Sequence, residues 1–271
     1  LKESEIIEKG RVGPGQMIGV NLLEGQFYHD RELKDILANQ RPYSKWVKNI
    51  IEIDTLIGKK KEPISFSLDE LNHRQKLFGY SMEDLELILH PMVQDRKEPT
   101  GSMGDDTPLA VLSQHHRGLH HFFRQNFSQV TNPPIDSLRE YGVMSLKTRL
   151  GNLGNMFEES EDQTNLLQLN SPVLTNGEFQ AMLSYMGDKS AWIDCTFKAD
   201  QGHNELTEAI TRIRQEAEDA VRGGAIHLVL SDENISLNRA PIPMILATGG
   251  VHSHLIQQKL RTFTSINVKS G

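Results

Sequence analysis

The chain has 271 residues, of which 37% are hydrophobic and 24% charged, and this composition excludes a fibrous or wholly disordered protein. The net charge is −7, with 29 basic against 36 acidic residues, so the basic surplus of a nucleic-acid-binding protein is missing. The single cysteine, Cys195, excludes an intrachain disulfide and is typical of a reducing compartment such as the cytoplasm. No stretch is long and apolar enough to predict a transmembrane helix.

The N-terminal part predicts a small β-hairpin followed by a helix. Extended runs over 16–22 and 26–28 flank a turn at Gly25. Asp30 is the expected N-cap of the helix over 31–39, whose apolar residues recur at spacings of three and four.

A break at Pro42 ends this helix, and a short helix around 46–50 is predicted next. Residues 52–66 are polar and lysine-rich, which predicts a connector. We therefore expect residues 1–50 to form a small appendage and residues 51–271 to form the main body.

Three further helices are predicted before residue 150. Ser67 and Ser81 each precede a helix, and each has an acidic residue three positions further on, as in a capping box. A loop rich in Gly, Pro and Asp follows, and a Thr-Pro start predicts a helix over 107–127. Residues 151–170 are rich in Gly, Asn and acidic side chains, which predicts a mobile segment.

From residue 171 onward, predicted helices and strands alternate. The strands are expected over 191–197, 225–230 and 263–268, and the helices over 175–186, 204–221 and 241–260. The run over 225–230 is almost continuously apolar, as in strands buried within parallel sheets. This alternation with short loops predicts an α/β fold.

A histidine-rich run over 115–121 is the first candidate for chemistry. His116 and His120 lie four residues apart, which places two zinc ligands on one helix face. No glutamate follows His116 directly, as the metalloprotease pattern requires, and His90 is only a guess for a third ligand. An exposed polar helix face explains the run more simply. A stand-alone α/β metal- or anion-binding enzyme using His116, His120 and Asp232 is the alternative function.

Asp232 directly follows a predicted strand, at the carboxyl end where α/β proteins bind ligands. The simpler interpretation is a carboxylate that caps the loop or pairs with nearby Arg239. The loop GSMGDDT over 101–107 enters a helix N-terminus, which favours anions, but its two aspartates oppose a phosphate and no Walker sequence is present. Neither a Ser-His-Asp order nor a nucleophile elbow appears, so spacing alone predicts no catalytic residue.

Several blocks together resemble one family. In chain order they are GRVGPGQMIGVNLLEGQ, FGYSMEDLELILHPM, EPTGSMGDDTPLAVLS, FRQNFSQVTNPPIDSLREYGVMSLKTRLG, SPVLTN, HLVLSDENISLNRAPIPMILATGGVHSHLI and LRTFTSINVKSG. This set resembles the central portion of the large subunit of glutamate synthases, and GSMGDDTPLAVLS and FSQVTNPPIDSLRE are its most specific blocks. By this resemblance, residues 1–50 are the end of the amidotransferase domain with its linker, and residues 51–271 are the central domain.

The resemblance implies a function that belongs to a longer chain. Glutamate synthases transfer the amide nitrogen of glutamine to 2-oxoglutarate and reduce the imine, which gives two glutamates. The central domain connects the amidotransferase and FMN-binding domains and helps to wall an ammonia tunnel. The fold that the family implies is a partial barrel-like parallel sheet with flanking helices, here with an N-terminal hairpin and helix appendage.

The resemblance also assigns two tunnel residues, but it assigns no catalytic or cofactor-binding residue to this chain. By motif, Met103 and Thr131 match positions at the narrow tunnel entrance, where a thioether and a methyl group form a small aperture and the Thr hydroxyl can hydrogen-bond to ammonia. The family's glutaminase nucleophile is an N-terminal cysteine, but residue 1 here is Leu. The family's iron–sulfur cluster needs three cysteines, but this chain has one. No FMN or 2-oxoglutarate ligand maps onto these residues.

We therefore expect a piece that is catalytically inert alone, contains no cofactor and has no nucleic-acid or membrane partner. Both ends look cut from something longer, and FMN and the iron–sulfur cluster are expected in the remainder of the parent chain. A protein-interaction module, whose exposed apolar faces meet neighbouring domains, is a third interpretation.

Overall fold

A computed structural model describes residues 2–57, 66–96, 111–114, 118–123, 143–199 and 204–271. The chain divides into two compact units, residues 1–50 and residues 51–271. Among the described residues, no helix has the length and apolar character needed to cross a membrane.

The first unit contains the predicted hairpin and helices. Strands β1 (Gly19–Asn21) and β2 (Gln26–Tyr28) pair antiparallel, and Gly25 takes the left-handed conformation, with φ of 67°, that the turn requires. The hairpin is followed by α1 (Asp30–Ala38) and α2 (Tyr43–Trp46). The short helix predicted around 46–50 thus begins earlier, at Tyr43, and continues as a 3₁₀ turn over Val47–Asn49.

The start of α1 differs from the prediction. His29 occupies the N-cap position, and Asp30 is the first helical residue. The Asp30 Oδ1 atom accepts a hydrogen bond from the Met17 N–H at 2.9 Å. The carboxylate that the sequence assigned to a cap therefore ties the hairpin to the helix.

The second unit begins with a small sheet that the sequence did not predict. Strands β3 (Ile51–Glu52), β4 (Thr148–Leu150) and β5 (Leu167–Leu169) form it in the order β3-β5-β4. The prediction of a mobile segment over 151–170 is wrong at its C-terminal end, because Leu167–Leu169 form β5, the central strand, which is buried along its whole length. The connector predicted to begin at residue 52 likewise starts with sheet residues.

The hydrogen bonds of Gln168, in the middle of β5, explain how a polar side chain can be buried in this sheet. Its Oε1 atom accepts from the Arg149 Nε at 3.2 Å, and its Nε2 donates to the Glu52 Oε1 at 3.1 Å. Both polar ends of the amide are satisfied across the two neighbouring strands, so its burial carries no unpaired group.

The capped helices form where the sequence predicts them. Helix α3 (Leu68–Leu77) begins with the Ser67 Oγ accepting from the Glu70 N–H at 3.2 Å. The next helical segment starts after Ser81, whose N–H donates to the Asp84 carboxylate at 2.8 Å.

That second segment is π-helical over Asp84–Leu89 before it continues as α4 (His90–Asp95). The His90 N–H donates to the carbonyl of Leu85, five residues back. Pro91 has no N–H to donate to the carbonyl four residues before it, which favours the wider turn here. The helix predicted over 107–127 lies mostly outside the described residues, and Leu119–Phe122 form a 3₁₀ turn.

A three-stranded parallel sheet forms the centre of the second unit and confirms the α/β prediction. Its order is β6 (Ser190–Asp194), β8 (His227–Ser231) and β10 (Ser265–Lys269). Helix α6 (Glu205–Arg222) connects β6 to β8, and α7 (Met244–Gln257) connects β8 to β10. Helix α5 (Asn176–Met186) precedes the sheet, and the described strands form no closed barrel.

The strand predicted over 191–197 is two strands. It breaks at Cys195, and the second part, β7 (Thr196–Lys198), pairs antiparallel with β9 (Arg239–Pro241). The Cys195 N–H donates to the Ser231 carbonyl at 2.7 Å, and its own carbonyl accepts from the Ile242 N–H at 2.8 Å. Cys195 is therefore the point at which the chain leaves the parallel sheet.

Strand β8 is buried on both faces. Leu228 and Leu230 pack in a cluster with residues of α6 and α7, and Val229 packs on the opposite face with β5 and α5. This double burial explains why the strand is continuously apolar rather than alternating.

Candidate functional site

The carboxyl edge of the parallel sheet collects the polar residues most suited to chemistry. Strand β6 ends at Asp194, β8 ends at Ser231 and is followed by Asp232, and β10 ends at Lys269 and is followed by Ser270. Ligands of α/β proteins bind at this edge, so these residues are the first candidates for a functional site.

Asp194 is the centre of a hydrogen-bonded network. Its Oδ1 atom accepts from the Thr196 N–H at 2.9 Å and from the Thr196 hydroxyl at 2.7 Å. Its Oδ2 atom accepts from Arg239 at 2.8 Å and from the Asn234 amide at 3.2 Å. Partial burial pushes the pKa of Asp194 upward, but these hydrogen bonds and the guanidinium outweigh it, so the pKa lies below its usual value.

Arg212 of α6 completes this network from the helix side. One guanidinium nitrogen donates to the carbonyls of both Asp194 and Thr196 at 2.9 Å. Arg212 and Arg239 therefore fix the junction where β6 becomes β7, and a cleft of about 370 Å³ lies beside them. With its carboxylate accepting four hydrogen bonds, Asp194 fixes this junction and is not placed to act as a general base.

Asp232 lies in a different environment from the one the sequence suggested. It is 3% exposed, and its Oδ2 atom accepts from the Ser270 hydroxyl at 2.7 Å. The expected ion pair with Arg239 is wrong, because Arg239 binds Asp194. Burial raises the pKa of Asp232 more than the Ser270 hydrogen bond lowers it. The neighbouring Glu233 forms an ion pair with Lys269 at 2.8 Å.

The thiol of Cys195 is not available as a nucleophile. The residue is fully buried, and burial raises the pKa of its thiol to about 12. Because the thiolate is the reactive form, the thiol stays protonated and unreactive near neutral pH.

His227 is buried at the opposite, amino edge of the sheet. It is 0% exposed, and its Nε2 atom lies 2.9 Å from the Asn267 Nδ2. Its Nδ1 atom has no hydrogen-bond partner among the described residues. Burial lowers the pKa of His227 to about 4, so the folded protein holds this ring neutral near pH 7.

This histidine predicts a pH dependence of stability. The unfolded chain binds a proton near pH 6.5, whereas the folded chain resists it until about pH 4. The contribution of His227 to the free energy of unfolding is therefore fully present above pH 6.5 and declines as the pH falls towards 4. The total loss of unfolding free energy is about 3 kcal/mol.

Urea unfolding at a series of pH values measures this loss. His227→Gln is expected to flatten this profile of unfolding free energy against pH between pH 6.5 and 4. Asp232 has a raised pKa and acts in the opposite direction, so the difference between variant and parent profiles isolates His227. Identical slopes for the parent and His227→Gln would contradict the assignment.

A polar cleft of about 620 Å³ also opens at the amino edge, and no sequence motif pointed to it. Its lining includes Asn152, Asn155, Gln163 and Lys189. The Gln163 side chain donates to the carbonyls of Leu153 and Asn155, so at least this amide shapes the loop itself.

The residues that the sequence singled out for function lie mainly outside the described part of the chain. Met103, Thr131 and His116 are outside it, and the side chain of His120 is not described. His90 is exposed at the start of α4. The described residues contain no group of three side chains that could hold a metal ion.

The iron–sulfur cluster and FMN that the family resemblance implies do not fit these residues. A cluster requires several thiolates, but the only thiol in the chain is the buried, protonated Cys195. The two carboxylates that follow β8 offer no hydrogen-bond donor to the phosphate of FMN, since Asp232 already accepts from Ser270 and Glu233 is paired with Lys269. No reaction step is therefore assigned through either group within this piece.

Two family models match the sequence. The model described as "Glutamate synthase central domain" matches residues 73–271, and "Glutamine amidotransferases class-II" matches residues 1–46. The matches leave residues 47–72 between them, a range that includes the residue-50 boundary between the two compact units.

Curated relatives match the chain along its whole length. It is 62% identical to the "Glutamate synthase [NADPH] large chain" of Azospirillum brasilense, covering 100% of this chain and 18% of the relative. It is 41% identical to the "Ferredoxin-dependent glutamate synthase, chloroplastic" of Spinacia oleracea, covering 100% and 17%. The match to the Bacillus subtilis "Glutamate synthase [NADPH] large chain" is 38% identical and covers 100% and 18%. The chain thus spans less than a fifth of these relatives' length, and it belongs to the glutamate synthase central-domain family.

Proposed function

We propose that this chain is an internal part of a glutamate synthase large subunit that connects the amidotransferase domain to the FMN-binding domain. The observation that carries the proposal is the match of two family models in sequence on one chain, the amidotransferase at residues 1–46 and the central domain at 73–271. A piece with this order lies between the glutamine site and the rest of the enzyme.

The proposed reaction of the parent chain consumes glutamine, 2-oxoglutarate, two electrons and two protons, and gives two glutamates. Ammonia released from the glutamine amide condenses with the keto group of 2-oxoglutarate, and the resulting imine is reduced. FMN and the iron–sulfur cluster supply the electrons in another part of the longer chain. This piece supplies no electron-transfer group.

Its proposed role is to hold the two reaction sites in register and to wall the ammonia tunnel. A sheet whose central strand is buried on both faces is suited to that role, because a close-packed interior has low compressibility and deforms little. The network of Asp194, Arg212 and Arg239 stiffens the carboxyl edge of the same sheet. Met103 and Thr131 as residues that line this tunnel remain a prediction.

The names of the relatives indicate which part of the enzyme recognises the electron donor. They specify NADPH for the Azospirillum protein, ferredoxin for the spinach protein and NADH for one from Schizosaccharomyces pombe, which is 37% identical to this chain. All of them match this chain along its whole length. We propose that the electron donor is recognised outside this piece, and that the parent enzyme is cytoplasmic.

Assays of purified residues 1–271 test whether this piece is catalytically inactive alone. We expect neither glutaminase activity nor a flavin absorbance band, because the nucleophile and the cofactor sites lie elsewhere. Ammonia release from glutamine or a yellow, FMN-loaded protein would overturn it. Elemental analysis for zinc on the same sample tests the alternative of a metal enzyme that uses His116 and His120.

A further inference from the structure

A cleft of about 370 Å³ lies between the first turns of α6 and the antiparallel pair of β7 and β9. Lys198 lines it from β7 and Arg239 from β9, and Glu205, Glu208 and Arg212 line it from α6. The cleft adjoins the junction where β6 ends and β7 begins, at the carboxyl edge of the parallel sheet. Ligands of α/β proteins bind at this edge, so the cleft lies where a ligand site is expected.

The two walls of this cleft carry opposite charges. Lys198 and Arg239 are directly opposite each other in the β7–β9 register, so their side chains share one face. The Arg212 guanidinium reaches the same wall, because it donates to backbone carbonyls at the β6–β7 junction. Glu205 and Glu208 are three residues apart on α6, which places both carboxylates on one helix face. The strand wall is therefore cationic and the helix wall is anionic.

The two arginines are held in place but are not saturated. Arg239 donates from Nε to the Thr196 hydroxyl at 2.9 Å and from Nη2 to the Asp194 carboxylate at 2.8 Å. Arg212 donates to the carbonyls of Asp194 and Thr196 and to the Glu216 carboxylate, each at 2.9 Å. A guanidinium has five N–H donors, so both arginines keep donors that no described residue occupies. Guanidinium groups that are already fixed bind a carboxylate with little further loss of side-chain entropy.

The two carboxylates on the helix wall are free to accept hydrogen bonds. Among the described residues, no hydrogen bond or ion pair engages the side chain of Glu205 or Glu208. Ala209, which also lines the cleft, has only a methyl group, so no long side chain fills the space beside Glu208. A carboxylate can only accept hydrogen bonds, and an ammonium group brings three N–H donors. The helix wall is therefore suited to an ammonium group.

A ligand with a single charge satisfies only one of these walls. An anion on the strand wall leaves the carboxylates unpaired, and an amine on the helix wall leaves the guanidinium donors unpaired. A small zwitterion satisfies both walls, and the cleft is large enough for one, since small-molecule sites begin at about 300 Å³. We propose that this cleft binds a free α-amino acid, with its carboxylate on Arg212 and Arg239 and its ammonium group on Glu208. The inference goes beyond the proposed function and does not depend on it.

Photo-crosslinking of the longer chain with L-photoleucine, a free α-amino acid that carries a diazirine, tests this proposal. Peptide mapping by mass spectrometry is expected to place a saturable adduct on β7, on β9 or on the first turns of α6. Excess L-leucine should remove the adduct, whereas acetate or methylammonium at the same concentration should not, because each carries only one of the two charges. The absence of a saturable adduct in these segments would overturn the proposal, and so would competition by acetate or methylammonium as strong as that by L-leucine.

Glu208→Gln in the longer chain tests the ammonium contact while keeping the size of the side chain. At a limiting probe concentration we expect about tenfold less adduct, because the ammonium group loses a charged acceptor. Glu158→Gln is the matched control, since Glu158 is also an exposed glutamate but lines the separate cleft at the amino edge. Equal labelling of Glu208→Gln and the parent would contradict the assignment. The adduct is located by peptide mass, so the result stands even if the longer chain makes no glutamate.

Discussion

Met103→Trp in the longer chain is expected to lower glutamine-dependent glutamate formation about tenfold, equivalent to about 1.4 kcal/mol of additional barrier. If Met103 lines the tunnel as proposed, the larger side chain narrows the aperture through which ammonia would pass. The glutaminase rate should change little, because glutamine hydrolysis precedes that passage. Parallel measurements of glutamate formed and ammonia released give both rates.

Met156 supplies the matched control, because it is an exposed methionine, at 71%, outside the motif. Met156→Trp should leave both rates at the parental value. Thr131→Val keeps the branched shape of residue 131 and removes its hydroxyl, so a selective loss of glutamate formation there would assign a hydrogen bond to ammonia. An equal fall in both rates in Met103→Trp would count against a tunnel role.

Leu230→Ala is expected to be among the most destabilising single substitutions in the chain, at about 3 kcal/mol of unfolding free energy. Leu230 is fully buried in the central strand β8, beneath α6 and α7. Removing its side chain leaves a cavity between the sheet and the helices. Urea unfolding followed by circular dichroism measures the loss.

The neighbouring edge strand offers the comparison. Val268 in β10 is 45% exposed, so Val268→Ala removes side-chain atoms already in contact with water and should cost no more than about 0.5 kcal/mol. If Leu230→Ala costs no more than Val268→Ala, the assignment of β8 as the doubly covered central strand is wrong.

Elements with a local signal were predicted well. Ser67 and Thr175 cap helices through hydrogen bonds to backbone N–H groups three residues on, and such contacts depend only on near neighbours. The hairpin at Gly25 and the strand and helix order after residue 171 follow from turn chemistry and periodicity in the same way.

Elements that depend on distant partners were missed. The run over 151–170 looks too polar for a core, but its β5 strand lies between β3 and β4, and Gln168 is satisfied by partners 19 and 116 residues away. The break at Cys195 is a similar case, because it follows from hydrogen bonds to Ser231 and Ile242. Neither partner is visible in a local window.

The candidate site divides along the same line. Position after a strand correctly placed Asp232 at the carboxyl edge of the sheet, but its burial was not predicted and the suggested partner, Arg239, was wrong. Arg239 donates a hydrogen bond to Asp194, 45 residues away, and the Ser270 hydroxyl donates to Asp232. Asp194 lies inside the strand predicted over 191–197, so its position at the end of a strand became visible only when that strand proved to break at Cys195.

By itself, the sequence determined the family, the α/β alternation and the absence of the thiols that an iron–sulfur cluster requires, because these depend on residue identity and short-range order. The tertiary structure decided which carboxylate Arg239 binds, that His227 is held neutral and that β8 is covered on both faces. Each of these depends on which distant segments pack together, since hydrogen bonding, burial and the resulting pKa shifts arise only when those segments meet.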